Sequence, residues 1–374
     1  MAKQTNLATA AEPRLSLPWL ARQPVSSVYN VCYLATLVLV RVPYWILNLR
    51  QSLMVTLIKA SIHGASVLEK PTPLSLEPGK EKEQFLVAQP GSEADYVGPL
   101  RSDAVAPAPV GITCFTRKPE TTDKQKSPAS SVSSSESQPS MVMLHVHGGA
   151  FVIGDGRIDQ MGYGASMLLR HAGVRRVYSV QYRLACRPDS VPFPGALQDV
   201  LTSYLYLVRE LGIPAENVVV SGDSAGGNLV IGLLRYLADA VLFSPWVAPA
   251  QCLGPDDLVV TSNPHYGTDI LAPAFLRWGA AAYSRLVPAS DSYISPLGHP
   301  FVTAVLEVEG MRWVREMREV TAAGGKRNDV ELNYEEGAPH DTLLVGNNLG
   351  WDESVREVTG KVGEFIRRKT PGSG

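Results

Sequence analysis

The chain has 374 residues, 45% of them hydrophobic and 19% charged, with a formal net charge of −2. That length holds one large domain plus an accessory segment, and the near-neutral balance gives no electrostatic support for nucleic-acid binding. Cys32, Cys114, Cys186 and Cys252 lie far apart, with no Cys/His pair at metal-ligand spacing. A disulfide scaffold is therefore disfavoured, and an intracellular compartment fits, either the cytoplasm or the endoplasmic-reticulum membrane.

Residues 1–23 are polar with scattered basic side chains. They lack the apolar core and small-residue cleavage site of a secretory signal. Residues 31–49 are mostly apolar and long enough to span a bilayer. Arg41 and Pro43 interrupt them, and a central arginine costs roughly 2.5 kcal/mol or more on insertion scales. Residues 51–68 form a second, more amphipathic stretch. Three readings stay open for this region: a membrane anchor, an interfacial helix pair making membrane contact through residues 27–60, and helices that cap a site. Residues 1–110 are thus expected to be a cap or membrane-associated region, and 111–370 the main domain.

Residues 69–110 are rich in Pro and Gly with little periodicity. A strand is predicted over 111–117. Residues 118–140 are low-complexity and end in a Ser-rich run, which buries too little apolar surface to order itself and reads as a disordered surface insertion. Strands are then predicted over 141–146, 177–182, 218–221, 241–243, 301–306 and 330–334. Helices are predicted over 163–172, 196–211, 225–237, 274–283, 311–323 and 354–368. This alternation at crossover length argues for a mostly parallel sheet with helices on both faces.

The chemistry centres on Val218-Val-Val-Ser-Gly-Asp-Ser-Ala-Gly-Gly-Asn228. A β-branched run stops at Gly222, and helical spacing resumes after Gly226. Gly-x-Ser-x-Gly between a strand and a helix presents its serine on a sharp turn, which makes Ser224 the candidate nucleophile. A Gly/Ser-rich turn without chemistry is the competing reading of the pentapeptide alone. A serine hydroxyl needs a base. In the chain order nucleophile, acid, histidine, the eligible histidines are His265, His299 and His340. His340 lies in a loop just after a predicted strand, where a parallel sheet presents its site, and is preferred. The acid is expected at the end of the 301–306 strand: Glu309, with Glu307 as rival. Backbone amides of Gly148 and Gly149, with that of Ala225, are the expected oxyanion donors. His147 is expected to hold that loop, and Asp223 to brace the serine turn. Asp341 adjoins His340, and adjacent side chains diverge, so it is not expected to hold that ring.

These residues resemble the hormone-sensitive-lipase-like (GDXG) branch of the α/β-hydrolases. The likeness rests on His147-Gly-Gly149, Gly222-Asp-Ser-Ala-Gly-Gly227, Tyr182-Arg-Leu-Ala185, Phe193-Pro-Gly-Ala-Leu197, Ser244-Pro-Trp246 and Ser295-Pro-Leu297. The N-terminal Arg41-Val-Pro-Tyr-Trp45 looks like fungal members, some similar to steryl deacetylases and others to secondary-metabolite hydrolases. The resemblance implies an α/β-hydrolase fold with a helical cap built from the N-terminal helices and residues 247–295. It implies hydrolysis of a small lipophilic carboxylic ester with a modest acyl group, and neither a metal nor an organic cofactor. The same site could serve an acyltransferase or cyclase, or survive in a catalytically impaired binding protein. Two departures stand out. Leu306 replaces the glycine that usually precedes the acid. Only Ala238-Asp-Ala240 separates the helix predicted over 225–237 from the next strand, although such a connection needs roughly two to six residues. Either that helix ends early or this copy has lost a segment.

Overall fold

A computed structural model describes residues 49–117, 141–234, 240–255, 257–263, 266–297, 331, 333 and 338–369. Six strands form one sheet among them: β1 (Phe85–Ala88), β2 (Val110–Thr116), β3 (Val142–Val146), β4 (Arg176–Gln181), β5 (Val218–Asp223) and β6 (Ala240–Phe243). Their order is β1-β2-β4-β3-β5-β6. The pairs β1/β2 and β2/β4 are antiparallel, and β4, β3, β5 and β6 run parallel. The predicted strand over 301–306 and the helix over 311–323 lie outside the described residues, as do residues 1–48 and 118–140; of the strand predicted over 330–334 only residues 331 and 333 are described.

The sheet is covered on both faces, and strand alternation decides which residue goes where. Along β3, Leu144 and Val146 enter one cluster, together with Tyr178, Val180 and Val220 of the neighbouring strands. Met143 points the other way and joins Val177 and Val219. The first face carries α3 (Gly195–Leu205) and α4 (Ser224–Leu233), which pack on each other. The second carries α2 (Ile158–His171) and α7 (Asp352–Lys369), with α6 (Thr342–Leu349) between them. All five residues of β3 are buried, as expected for a central parallel strand.

α4 stops at Leu233, short of the predicted Leu237. Its last turn closes through Leu234 N–H to Val230 O at 2.8 Å. β6 begins at Ala240, and residues 235–239 between them lie outside the described residues. α2 starts five residues before its predicted position. Its first amide, on Ile158, donates to Glu81 Oε1 at 3.2 Å, a long-range cap.

Residues over the sheet's C-terminal edge form the cover. α1 (Leu49–Val67) packs on α5 (Pro273–Tyr283) and α6. Val55, Ile270 and Leu349 form a small buried cluster there. Lys59 is also buried; its Nζ donates to Tyr266 O at 2.7 Å and lies 3.5 Å from the centroid of that ring. Of the three readings for the N-terminal region, packing as a cap describes α1. Among the described residues, no helix is long and apolar enough to cross a membrane.

Candidate active site

β5 runs directly into α4, with Ser224 as the first helical residue. Its φ is +49°, a conformation that costs a non-glycine residue of order 1–3 kcal/mol and that the surrounding structure must enforce. The enforcement is visible. Ser224 O accepts from Trp246 N–H at 2.9 Å. A β-carbon at Gly226 would fall 2.0 Å from Val146 O, and one at Gly222 would fall 2.6 Å from the Gly226 carbonyl carbon. Only hydrogen fits at either position, so the turn can be this tight. Asn228, one turn into α4, donates to Trp246 O at 2.8 Å and to Ile294 O at 2.7 Å. Those bonds tie the nucleophile helix to the two Ser-Pro segments noted in the sequence.

The loop after β3 approaches from the other side. A β-carbon at Gly148 would come 3.0 Å from Ser224 Cβ and 2.3 Å from Asp223 Oδ2, so the backbone itself lies against the nucleophile. Gly149, Ala150 and Phe151 follow with φ of +105°, +51° and +64°. Tyr182 donates its hydroxyl to His147 O at 3.0 Å and Gly148 O at 3.2 Å. His147 stacks on Tyr182 at 4.3 Å between centroids, and its Nδ1 meets Gly148 O at 2.7 Å. Burial pushes its imidazole down to about 4, so the ring is neutral and Nδ1–H is the donor. His147 thus holds the loop.

One expectation needs correction. The amide of Gly148 donates to Asp223 Oδ2 at 2.6 Å. That N–H is already committed and is not open to an oxyanion. The reason is Asp223, whose buried carboxylate takes the nearest donors it can reach. It also meets His145 Nε2 at 3.0 Å. Burial lowers His145 to about 4, so this contact is a hydrogen bond from a neutral ring and not an ion pair. His145 Nδ1 then accepts from Ser221 Oγ at 2.8 Å.

His340 sits in the turn before α6. Its N–H donates to Asp269 Oδ1 at 2.9 Å. Its Nε2 is buried and has no hydrogen-bond partner among the described residues. Asp341, next in the chain, is buried and hydrogen-bonded to Asp223. That contact, which the sequence reading did not foresee, brings the His340 turn beside the serine turn. Burial first, and then the Asp223 charge, push the Asp341 carboxyl well above its usual range; burial lifts Asp223 to about 6. The Gly148 amide and His145 already donate to Asp223, so the proton that two buried carboxyls in contact must share is placed on Asp341. Glu309 and Glu307 lie outside the described residues, as do His265 and His299. No group of His, Cys, Asp and Glu able to hold a metal occurs among the described residues.

The profile of the alpha/beta hydrolase fold family matches residues 143–344. The chain belongs to that family. It is 30% identical to an ethyl acetate hydrolase of Pseudomonas putida, over 55% of this chain and 67% of that protein. It is 31% identical to an arylesterase of Saccharolobus solfataricus, over 60% and 74%. An acetyl-hydrolase of Streptomyces hygroscopicus is 35% identical, over 32% of this chain and only 36% of its own length. An esterase of the bacterial hormone-sensitive lipase family superposes with a TM-score of 0.53 at 19% identity, covering 86% of this chain and 98% of that one. At that identity the likeness is one of fold. Together these place the chain in the α/β-hydrolase fold family, beside relatives that are carboxylic ester hydrolases.

Proposed function

We propose that this α/β-hydrolase cleaves a carboxylic ester by a two-step acyl transfer through Ser224. The observation that carries the reading is the left-handed Ser224 at the β5–α4 turn, with the Gly148 backbone against its β-carbon. His340 takes the hydroxyl proton as Ser224 attacks the ester carbonyl, and returns it to the departing alcohol. Glu309, with Glu307 as its rival, steadies the imidazolium. The tetrahedral oxyanion is held by the amides of Gly149 and Ala225. Ala150 takes the place first expected for Gly148, because the Gly148 amide is bonded to Asp223 and Ala150 supplies the next donor beyond Gly149 in the same loop. Water then releases the acid.

A modest acyl group fits a serine that is only 7% exposed. It also agrees with relatives named acetyl-hydrolase and ethyl acetate hydrolase. The leaving alcohol is proposed to be lipophilic, such as a sterol or secondary metabolite. A fluorophosphonate probe tests the nucleophile: labelling is expected on the native chain, and labelling that survives Ser224→Ala overturns the reading. Hydrolysis in oxygen-18 water tests the acceptor: the label enters the acid product if water deacylates the enzyme. Acyl transfer to an added alcohol or amine, with a new ester or amide formed in place of the acid, would instead favour an acyltransferase.

A further inference from the structure

Asp341 has two features that the acyl-transfer scheme leaves unexplained. It holds φ +61° and ψ +54° at the residue following the base, a left-handed conformation that aspartate adopts at a cost. Its carboxyl is buried and meets a second buried carboxyl, that of Asp223. Two carboxylates in one dry site repel, so such a contact persists only if they share a proton. The other partners of Asp223 are the Gly148 amide and His145, both donors. Asp223 is thus the acceptor on which three segments converge: the oxyanion loop, the end of β3 and the His340 turn.

We propose that Asp341 is the positioning residue for the base: its carboxyl, donating to Asp223, clamps the His340 turn onto the nucleophile turn. The left-handed backbone at Asp341 swings its side chain away from the imidazole and toward the elbow. The Asp223–Asp341 bond then offsets that backbone strain. The titratable groups facing Asp341 are Asp223, His145 at the end of β3, and its neighbour His340. His145 is neutral and offers no positive charge against a second anion. Loss of the Asp341 proton at alkaline pH sets two anions against each other and releases the turn. The inference rests on the Ser224–His340 reading.

The test compares native enzyme with Asp341→Asn, Asp341→Ala, Ser224→Ala and His340→Ala on a p-nitrophenyl ester across pH. Asparagine tolerates the left-handed backbone, and its amide donates to Asp223 without titrating. Asp341→Ala is expected to lose roughly a hundredfold in kcat with little change in KM, as misplacement of a reacting group does. Asp341→Asn is expected to recover most of that loss and to remain active at alkaline pH where the native enzyme declines. If Asp341→Ala does not fold, the Asp341→Asn profile decides alone. An alkaline decline in Asp341→Asn identical to the native one overturns the clamp, as does an Asp341→Ala enzyme with native kcat. Activity retained in Ser224→Ala or His340→Ala instead overturns the nucleophile–base reading, whatever Asp341 does. If both are inactive while the Asp341 variants follow the native profile, only the clamp fails.

Discussion

Gly148 donates its amide proton to Asp223 Oδ2 across 2.6 Å, and that bond fastens the oxyanion loop to the nucleophile turn. It explains why the position is glycine. A β-carbon there would overlap Asp223 Oδ2 at 2.3 Å and crowd the Asp223 carbonyl at 3.2 Å. Gly148→Ala must push the loop away from Ser224. Activity is expected to fall by roughly two to three orders of magnitude, as when an oxyanion donor is displaced. Stability should fall by only about 1–3 kcal/mol, as for overpacking. Steady-state kinetics and urea unfolding on the same preparation check both numbers; full activity would mean that the loop does not contribute to catalysis.

The cap is seated on the oxyanion loop at one point. A β-carbon on Gly279 of α5 would come 2.2 Å from Ala150 O and 2.7 Å from Ala150 Cβ. Behind that contact, Tyr283 stacks on Phe151 at 3.9 Å between centroids. Backbone cannot give way as a flexible side chain can, so Gly279→Ala is expected to lift α5. Phe275, Leu276, Ala280 and Tyr283 of α5 share the buried cluster on one face of the sheet, but the strand ladders do not involve α5, so the sheet should survive. The expected result is an unchanged far-ultraviolet circular dichroism spectrum with a clear loss of kcat/KM. Native kinetics would show that cap seating and oxyanion-loop geometry are independent.

Much of this arrangement was legible in the sequence, and the rest was not for identifiable reasons. The strand–turn–helix around Ser224 could be read because the glycines that make it possible sit at fixed offsets from the nucleophile. β3 and β5 could be read because central parallel strands are uninterrupted apolar runs. β1 could not: Phe85–Ala88 is four residues in a Pro-rich stretch, too short to show a period. α6 was missed because Thr342–Leu349 is short and contains Gly346, whose hydrogen is needed where a β-carbon would meet Val355 Cγ2 at 2.7 Å. The start of α2 depends on Glu81, remote in the chain. The fate of the Gly148 amide and the role of Asp341 share one cause. Both are set by where the Asp223 carboxylate points, which no local pattern encodes.

Half-buried Arg183 and fully buried Asp199 form a pair that joins the loop after β4 to α3. Arg183 Nη2 reaches Asp199 Oδ1 at 2.8 Å, and the Arg183 amide reaches Oδ2 at 2.7 Å. Burial lifts Asp199 to about 6 even against this cation, so the carboxylate depends on its partner. Arg183→Met leaves that carboxyl buried without a cation and is expected to cost about 3–5 kcal/mol. Adding Asp199→Leu should restore part of the loss, because the uncompensated group is then gone. Urea unfolding of the two single variants and the double variant gives the coupling directly. Additive losses would mean that the pair is energetically inert.

His147 makes the acid side of the stability profile predictable. Its pKa falls from 6.5 in the unfolded chain to about 4 in the fold, because burial disfavours the charged ring. The unfolded chain therefore binds more protons than the native state between those values. Its contribution is fully present above pH 6.5 and is lost as pH falls toward about 4, by up to about 3 kcal/mol. His145 is lowered in the same way, but it touches Asp223, whose raised value works in the opposite direction. His147 is the cleaner probe, since its ring bonds a carbonyl and stacks on Tyr182, and burial outweighs the Asp155 charge that acts on it. His147→Phe can keep the stacking on Tyr182 and loses the titration. Its unfolding free energy should consequently change less steeply with pH than that of the native chain across this window. It should also be lower at neutral pH, where the hydrogen bond to Gly148 O is missing. Equal slopes in urea titrations from neutral pH to about pH 4 would show that His147 is not held neutral in the fold.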